Sequence, residues 1–124
     1  MAARRVLVID DHPVNRTLAM VLLRDAGWVV DEAPGGAEGL AKLAAGQFDS
    51  VLLDISMPGM SGEEVCQRIR ADEKLKSLFV VAYTAHALES ERQHILSAGF
   101  DGLLTKPISR ASLFDALKFP ENRQ

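Results

Sequence analysis

The sequence predicts a doubly wound α/β fold, in which five parallel strands form one sheet with helices on both faces. Short apolar runs alternate along the chain with longer segments of helical spacing, and this alternation is typical of α/β proteins. The first, third and fourth runs are almost continuously apolar, as expected for strands covered on both faces of a parallel sheet. The 124 residues fit one domain with a single core. We therefore expect a single domain over 1–124 with its core at about 5–118.

The strands are predicted where the apolar runs stand. They are expected at about Arg5–Asp10, Trp28–Asp31, Ser50–Asp54, Leu78–Tyr83 and Leu103–Thr105. Two strand orders are common for doubly wound sheets, and only the order 2-1-3-4-5 makes strands 1 and 3 neighbours at the switch point. We favour this order because it brings Asp10, Asp11 and Asp54 together.

Helical spacing follows each of the first two strands. Pro13 suits the first turn of a helix, because proline needs no amide donor there. The first helix then carries an apolar stripe consisting of Val14, Leu18, Val21 and Leu22. The second helix carries Ala37, Leu40, Ala41 and Leu43. Ala-Gly dipeptides at 26–27, 45–46 and 98–99 predict helix ends in which glycine adopts the left-handed backbone.

The later helices show start signals of their own. Ser61 and Glu64 form a capping box that begins the third helix. The fourth helix, at about Ala87–Ser97, has a thin apolar face formed by Leu88, Ile95 and Leu96. Ser109 caps the fifth helix, which is expected to bury Leu113, Phe114 and Leu117.

Composition and charge exclude several classes of function. The net charge of −3 leaves no broad basic surface for nucleic acid or an anionic membrane. Aromatic residues make up only 6% of the chain, too few for base-stacking platforms. Cys66 is the only cysteine, so no internal disulfide can form, and a reduced, cytoplasmic setting is expected. No apolar run is long enough for a signal-peptide core or a membrane span.

Polar residues stand at the ends of four of the apolar runs. They are Asp10 and Asp11 after the first, Asp54 after the third, Thr84 after the fourth and Lys106 after the fifth. Open α/β sheets bind their ligands at the carboxyl edge of the strands. The sequence thus predicts a site with three carboxylates, a hydroxyl and an ammonium at that edge.

This set of side chains suits a divalent cation and a phosphoryl group. Close carboxylates repel one another, by about 4 kcal/mol for two unit charges 4 Å apart at an effective dielectric of 20. Oxygen ligands favour Mg²⁺, which Asp10, Asp11 and Asp54 would hold with the carbonyl of Ser56. Asp54 stands alone at the end of the central strand and is the predicted nucleophile for an aspartyl phosphate. Lys106 would neutralise the phosphoryl oxygens and Thr84 would donate to one of them.

Four stretches resemble the receiver domain of two-component response regulators: residues 6–16 (VLVIDDHPVNR), 52–62 (LLDISMPGMSG), 82–85 (AYTA) and 104–108 (LTKPI). The resemblance extends from about residue 5 to residue 118. It is strongest to the receivers of hybrid sensor histidine kinases and phosphorelays. It implies the flavodoxin-like three-layer fold and a signalling role rather than an enzyme, with at most catalysis of its own phosphorylation and dephosphorylation.

The resemblance also implies roles for particular residues. Asp54 would accept a phosphoryl group from a phosphohistidine on a histidine kinase or phosphotransfer protein, and Asp10 and Asp11 would hold Mg²⁺. Thr84 and Lys106 would contact the phosphoryl group, and the Lys106–Pro107 bond would be cis. We expect a monomer or weak dimer that docks its donor on the first helix and the Asp54 loop. Its downstream partner would bind the face formed by helix 4, strand 5 and helix 5.

The sequence departs from the family three residues before the lysine, where relatives often carry Tyr or Phe as a rotating switch. This chain has Leu103 there, and in a regular strand Tyr83 points to the other face of the sheet from its neighbour Thr84. We therefore expect a small change on phosphorylation, or one carried by the backbone at 84–88. Ser56 and His86 flank the expected phosphoryl position and are predicted to set the rate at which water attacks it.

Two other functions fit parts of this pattern. Phosphatases of the haloacid dehalogenase type also use an aspartate nucleophile at a strand end, but they need a second acid two residues later, where this chain has Ser56. A receiver-like module that binds a partner without being phosphorylated is the other alternative, and the complete acid set disfavours it.

Overall fold

The computed structural model describes residues 4–85, 89–106 and 108–117, in which strands and helices alternate. The strands are β1 (Arg5–Ile9), β2 (Val29–Ala33), β3 (Ser50–Asp54), β4 (Phe79–Thr84) and β5 (Gly102–Thr105). The helices are α1 (Pro13–Asp25), α2 (Gly36–Ala45), α3 (Gly62–Ala71), α4 (Glu89–Ser97) and α5 (Arg110–Ala116).

The strands form one parallel sheet in the order β2-β1-β3-β4-β5. This confirms the predicted strand order. In the register of β1 with β3, Ile9 lies opposite Leu53. Asp10, which follows β1, and Asp54, the last residue of β3, therefore lie side by side at the carboxyl edge of the sheet.

The strand bounds differ from the predictions by one or two residues, except in β3. β2 continues to Ala33 because it pairs with β1 as far as Ile9. β4 reaches Thr84, which pairs with Thr105 of β5. β1 ends at Ile9, one residue earlier than predicted. Asp10 belongs to the turn that follows, where its carboxylate accepts a hydrogen bond from the His12 backbone N–H.

Side-chain caps begin α3 and α5 as predicted. Ser61 Oγ accepts a hydrogen bond from the Glu64 N–H at 3.2 Å. The Glu64 carboxylate pairs with Arg68 on its own helix, so the predicted capping box of α3 is only half formed. Ser109 and Ser112 cap α5 reciprocally. At the helix ends, Gly27 (φ 93°) and Gly99 (φ 111°) adopt the predicted left-handed backbone. Gly46 does not: its φ of −126° is extended, so that part of the prediction is wrong.

The face of α1 that packs on the sheet is not the face that the apolar stripe suggested. Ala19, Met20 and Leu23 are buried, whereas Val14 is 74% exposed and Val21 56% exposed. At about 100° per residue these two sets lie on opposite sides of the helix. Helix α1 is apolar on both sides, and periodicity alone does not tell which side meets the sheet. Leu18 is also exposed, and Leu22 is partly buried at the border between the two sides.

Each face of the sheet carries its own apolar core, because alternate residues of a strand point in opposite directions. Leu7 and Ile9 of β1 belong to one core, and Val6 and Val8 belong to the other. Leu113 of α5 and Leu117 directly after the helix are buried, as predicted, and Phe114 is partly buried. In α4, Ile95 is buried and Leu96 is exposed; Leu88 lies outside the described residues. Within the described ranges, no helix has the length and apolarity to cross a bilayer.

Candidate functional site

Three aspartates meet at the carboxyl edge of the sheet. Asp10 follows β1 and is fully buried, Asp54 ends β3 and is 2% exposed, and Asp11 is partly buried. One carboxylate oxygen from each lies within 4.8 Å of the other two. The structure thus brings together the three acids that the sequence predicted as neighbours, because β1 and β3 are adjacent in the sheet.

The two oxygens of the Asp10 carboxylate have different environments. Oδ1 accepts a hydrogen bond from the His12 backbone N–H at 2.8 Å. Oδ2 is buried and has no hydrogen-bond partner among the described residues. The Lys106 ammonium forms a long ion pair with it, with Nζ 4.0 Å away. A buried oxygen without a hydrogen bond is unfavourable, so Asp10 Oδ2 would be stabilised by a cation bound closer than this ammonium.

Lys106 reaches the site from the loop after β5. Its backbone N–H donates to the Thr84 carbonyl at 2.8 Å, which fixes the start of its side chain beside β4. Its Nζ lies 3.5 Å from Asp54 Oδ1. The side chain of Lys106 is 20% exposed, and Thr84 is buried at the end of β4. Both residues therefore stand at the same edge of the sheet as the acids.

The backbone around Asp54 is tightly held. The Ser56 N–H donates to Asp54 Oδ1 at 3.1 Å, and the Ile55 N–H donates to the Tyr83 carbonyl at 3.0 Å. Below this turn, Gly62 begins α3 and donates to the Ile55 carbonyl at 3.1 Å. A Cβ at Gly62 would lie only 2.4 Å from the Asp54 carbonyl oxygen. Glycine at this position is what allows α3 to start directly beneath Asp54.

Burial and charge act together on the Asp54 carboxyl. Burial, with the Asp10 carboxylate adding to it, raises the pKa of Asp54 from 3.8 to about 6. The Lys106 ammonium and the Ser56 N–H oppose this rise and only partly offset it. Near neutral pH the carboxyl is thus mostly ionised, and it stays ionised at the expense of the stability of the fold.

A divalent cation fits the donor atoms of this site. The donors are carboxylate oxygens, which hard cations such as Mg²⁺ prefer, and Asp10 Oδ2 is a buried acceptor without a hydrogen-bond partner in the described part of the chain. Asp10, Asp11 and Asp54 are the residues that would hold the ion. The Ser56 carbonyl stays a prediction, since the described contacts of Ser56 concern its N–H.

Away from this site, a cavity of about 580 Å³ lies at the opposite edge of the sheet, lined by residues that include Arg5, Phe48 and Lys74. Two of its polar residues are engaged with each other or with the backbone: Arg5 Nε donates to the Gln47 carbonyl, and the Asp49 carboxylate accepts from the Arg5 N–H. It contains no cluster of acids among the described residues. The carboxyl edge is therefore the better candidate site.

Some predicted features lie outside the described residues, namely His86 and the Lys106–Pro107 bond. Leu103 and Tyr83 both lie within the described residues. Leu103 packs against one core and Tyr83 belongs to the other, so the two side chains lie on opposite faces of the sheet.

Sequence reasoning missed a contact of Tyr83 at this site. Its ring lies beneath the Lys106 ammonium, with Nζ 4.6 Å from the ring centroid. Burial, together with the charges of Asp10 and Asp54, raises the pKa of Tyr83 to about 12, so its phenol is neutral. The register of β4 and β5 would have predicted that Tyr83 and Lys106 are close, but not that the ring faces the ammonium.

Sequence comparison connects this geometry to known proteins. The family profile described as "Response regulator receiver domain" matches residues 6–118. The chain is 42% identical over 114 residues to the sensor protein GacS of Pseudomonas syringae pv. syringae, covering 90% of this chain and 13% of GacS. It is 39% identical to the chemotaxis protein CheY-3 of Vibrio cholerae, covering 91% of this chain and 88% of CheY-3.

Structural comparison gives the same result. The receiver domain of sensor histidine kinase PA1611 from Pseudomonas aeruginosa PAO1 aligns with a TM-score of 0.83 and 30% identity, over 93% of this chain and 98% of that domain. In that structure a magnesium ion is coordinated in the active site cleft. The shared fold is the flavodoxin-like arrangement that the sequence predicted.

Proposed function

Since the chain belongs to the response regulator receiver domains of two-component signalling, we propose that it is a switch whose phosphoacceptor is Asp54. Receiver domains are signalling modules rather than metabolic enzymes, and they interact with histidine kinases or phosphotransfer proteins. The observation that carries the proposal is the convergence on Asp54 of two further acids and the Lys106 ammonium. We treat residues 1–124 as one receiver domain with its core at about 5–118.

The proposed reaction is transfer from a phosphohistidine. A carboxylate oxygen of Asp54 attacks phosphorus, the P–N bond breaks, and the departing imidazole nitrogen takes up a proton from water. The Ser56 N–H and Lys106 Nζ both lie next to Asp54 Oδ1, which leaves Oδ2 as the proposed attacking atom. Transfer of this kind needs mainly positioning and neutralisation of charge.

Mg²⁺ is the proposed cofactor, held by Asp10, Asp11, Asp54 and the Ser56 carbonyl. When bound, the ion supplies positive charge that screens the acids from one another and from the phosphoryl oxygens. The fit of the three acids and the ion coordinated in the PA1611 receiver support this assignment.

Thr84 and Lys106 are proposed to contact the phosphoryl group. Both stand at the ends of neighbouring strands, and the backbone hydrogen bond from Lys106 to Thr84 couples their positions. Because Leu103 replaces an aromatic residue, we propose that the change after phosphorylation is small or is carried by the backbone at 84–88. Ser56 is exposed beside the acceptor, and we propose that it and His86 set how fast water removes the phosphoryl group.

The exposed side of α1 is the proposed docking surface for the phosphohistidine donor. Val14, Leu18 and Val21 form an apolar patch, and Pro13 continues it toward the acid pair. Exposed apolar patches of this kind mark protein contacts. A donor bound there would bring its imidazole to the edge of the sheet that carries Asp54.

We propose that the downstream partner binds the face formed by α4, β5 and α5, and that the protein works as a monomer or weak dimer in the cytoplasm. Among the described side chains of helix α4 only Ile95 is buried, and most of the others are exposed to solvent. The chain spans only 13% of the length of GacS but 88% of the length of CheY-3. Both a free-standing regulator and the receiver of a hybrid kinase are therefore compatible with the proposal.

Phosphorylation by acetyl phosphate tests the proposed acceptor. With Mg²⁺ present, the wild-type protein should gain the mass of one phosphoryl group, and Asp54→Ala should gain none. Asp115→Ala is the matched control, since Asp115 is an exposed aspartate on α5. Gain of mass in Asp54→Ala, or no gain in the wild type, would contradict the proposal.

A turnover assay separates the phosphatase alternative. Ser56 stands where that chemistry needs an acid, so we expect no sustained release of phosphate from small phosphate monoesters. Steady turnover would favour the phosphatase. A wild type that gains no mass from a phosphodonor would favour a binding module without phosphorylation.

A further inference from the structure

Tyr83 is the only tyrosine of the chain, and the face of its ring contacts the Lys106 ammonium. The distance from Nζ to the ring centroid is 4.6 Å, within the range of about 6 Å for a cation–π contact. The same Nζ lies 3.5 Å from Asp54 Oδ1 and 4.0 Å from Asp10 Oδ2. The ammonium is therefore held between two carboxylates and one aromatic face.

The ring is held firmly in its place. Tyr83 is 1% exposed and belongs to the core that includes Leu104 and Leu113. Its carbonyl accepts the hydrogen bond from Ile55 that begins the Asp54 loop, and its neighbour in the register of β5 is Leu104. The ring thus has little freedom, whereas the lysine side chain has several rotatable bonds and a partly exposed end.

The rigid Tyr83 ring stabilises the flexible Lys106 side chain in one position. The ring face attracts the ammonium, and the attraction is stronger where water is excluded. The ring also blocks the space beneath the ammonium, which leaves it directed at the carboxylates. Without the ring, the side chain could retreat from the position 3.5 Å from Asp54.

We infer that Tyr83 is a positioning residue, whose ring face holds the Lys106 ammonium where the phosphoryl group on Asp54 meets it. This inference rests on the proposed phosphorylation of Asp54. Tyr83 acts through Lys106 and does not itself contact the phosphoryl group. The competing explanation is that Tyr83 only fills the core.

A double-mutant cycle distinguishes the two explanations. Tyr83→Leu should slow phosphorylation by acetyl phosphate about tenfold in the wild-type background, as expected for loss of a partly desolvated cation–π contact. In the Lys106→Ala background the same substitution should change the rate by less than about twofold, because the cation is already absent. Tyr83→Phe keeps the ring face and should restore most of the rate. An equal loss in both backgrounds, or no loss in Tyr83→Leu, would overturn the inference.

Fluorine NMR gives a second readout that depends neither on phosphorylation nor on the stability of Tyr83→Leu. Global incorporation of 3-fluorotyrosine labels Tyr83 alone. Lys106→Ala should shift this resonance clearly in the folded, metal-free protein, and Arg68→Ala on the outer side of α3 should not. An unmoved resonance in Lys106→Ala would overturn the inference. If the resonance moves but the wild type gains no phosphoryl group, the contact stands and the proposed function fails instead.

Discussion

Asp54 is ionised at neutral pH in a place that disfavours its charge. The group is 2% exposed, Asp10 lies beside it, and its pKa of about 6 is above the ordinary value of 3.8. A carboxyl whose pKa is raised in the folded state binds more protons than in the unfolded state between these two values. The fold is therefore most stable when Asp54 is protonated, and it loses stability as the pH rises through about 6. The residue proposed to accept the phosphoryl group is thus one that destabilises the metal-free protein.

Asp54→Asn should stabilise the metal-free protein at neutral pH. A shift of about two pH units corresponds to about 3 kcal/mol, so the free energy of unfolding should rise by up to about 3 kcal/mol at pH 7.5. The gain should shrink as the pH falls from 6 toward 3.8, and it should vanish only well below 3.8, where Asp54 is protonated in both the folded and the unfolded wild type. Urea unfolding with a chelator across this pH range measures it, with exposed Asp115→Asn as the control. A variant that is less stable than the wild type at pH 7.5 would refute the argument.

At the scale of the element, helix α3 can begin directly beneath Asp54 because its first residue, Gly62, has no side chain. A Cβ at Gly62 would lie 2.4 Å from the Asp54 carbonyl oxygen and 2.7 Å from Ile55 Cα. Both atoms belong to the backbone, so neither can rotate away. The helix and the acceptor loop are therefore coupled, and a change in one displaces the other.

Gly62→Ala should accordingly lower both stability and phosphorylation rate. We expect a loss of about 1–3 kcal/mol in the free energy of unfolding, as for other overpacked sites, and slower labelling by acetyl phosphate because Asp54 is displaced. Gly102→Ala is the control, because a Cβ there would meet its nearest atoms at 3.8 Å. A Gly62→Ala protein as stable and as reactive as the Gly102→Ala protein would show that the loop adapts freely.

Helix α1 offers a prediction about the donor. The double substitution Val14→Ser and Leu18→Ser should slow phosphotransfer from a phosphorylated histidine donor, because it removes the apolar patch. The rate of labelling by acetyl phosphate should stay as in the wild type. Exposed positions of this kind change stability by only about 0.5 kcal/mol. Leu96→Ser on α4 is the matched control, since Leu96 is 44% exposed and Leu18 40% exposed. Equal slowing with both phosphodonors would place the defect in the site rather than in docking.

Elements differ in how far the sequence alone predicts them. β3 has its predicted bounds because a central strand with five buried residues has an unambiguous pattern. The meeting of the site's side chains at one edge of the sheet was predictable, because four strand ends carry them and the strand order follows from their chemistry. The buried face of α1 was not predictable, because both sides of that helix are apolar and only packing on the sheet determines which side is buried. The Tyr83–Lys106 contact depends on how two side chains from neighbouring strands are oriented toward each other, which the spacing along one strand does not give.

At the scale of the whole molecule, the site exists only when the sheet is complete. Asp10 and Asp11 come from the end of β1, Asp54 from β3, Thr84 from β4 and Lys106 from beyond β5. These residues are far apart along the unfolded chain, which therefore offers no preformed site. A cation that binds the acids binds the folded state almost exclusively. Its binding free energy must then appear as stability of the entire fold.

Magnesium should therefore raise the urea midpoint of the wild-type protein without changing the slope of the transition. At a concentration one hundred times its dissociation constant, the gain is about 2.7 kcal/mol. The gain should be much smaller in Asp11→Asn, which removes a ligand but keeps the size of the side chain. KCl at matched ionic strength is the control for general screening of the acids, and it should give little stabilisation of either protein. If Asp11→Asn gained as much from Mg²⁺ as the wild type, the ion would be binding elsewhere, and the stability of the fold would not be linked to the acids at the carboxyl edge.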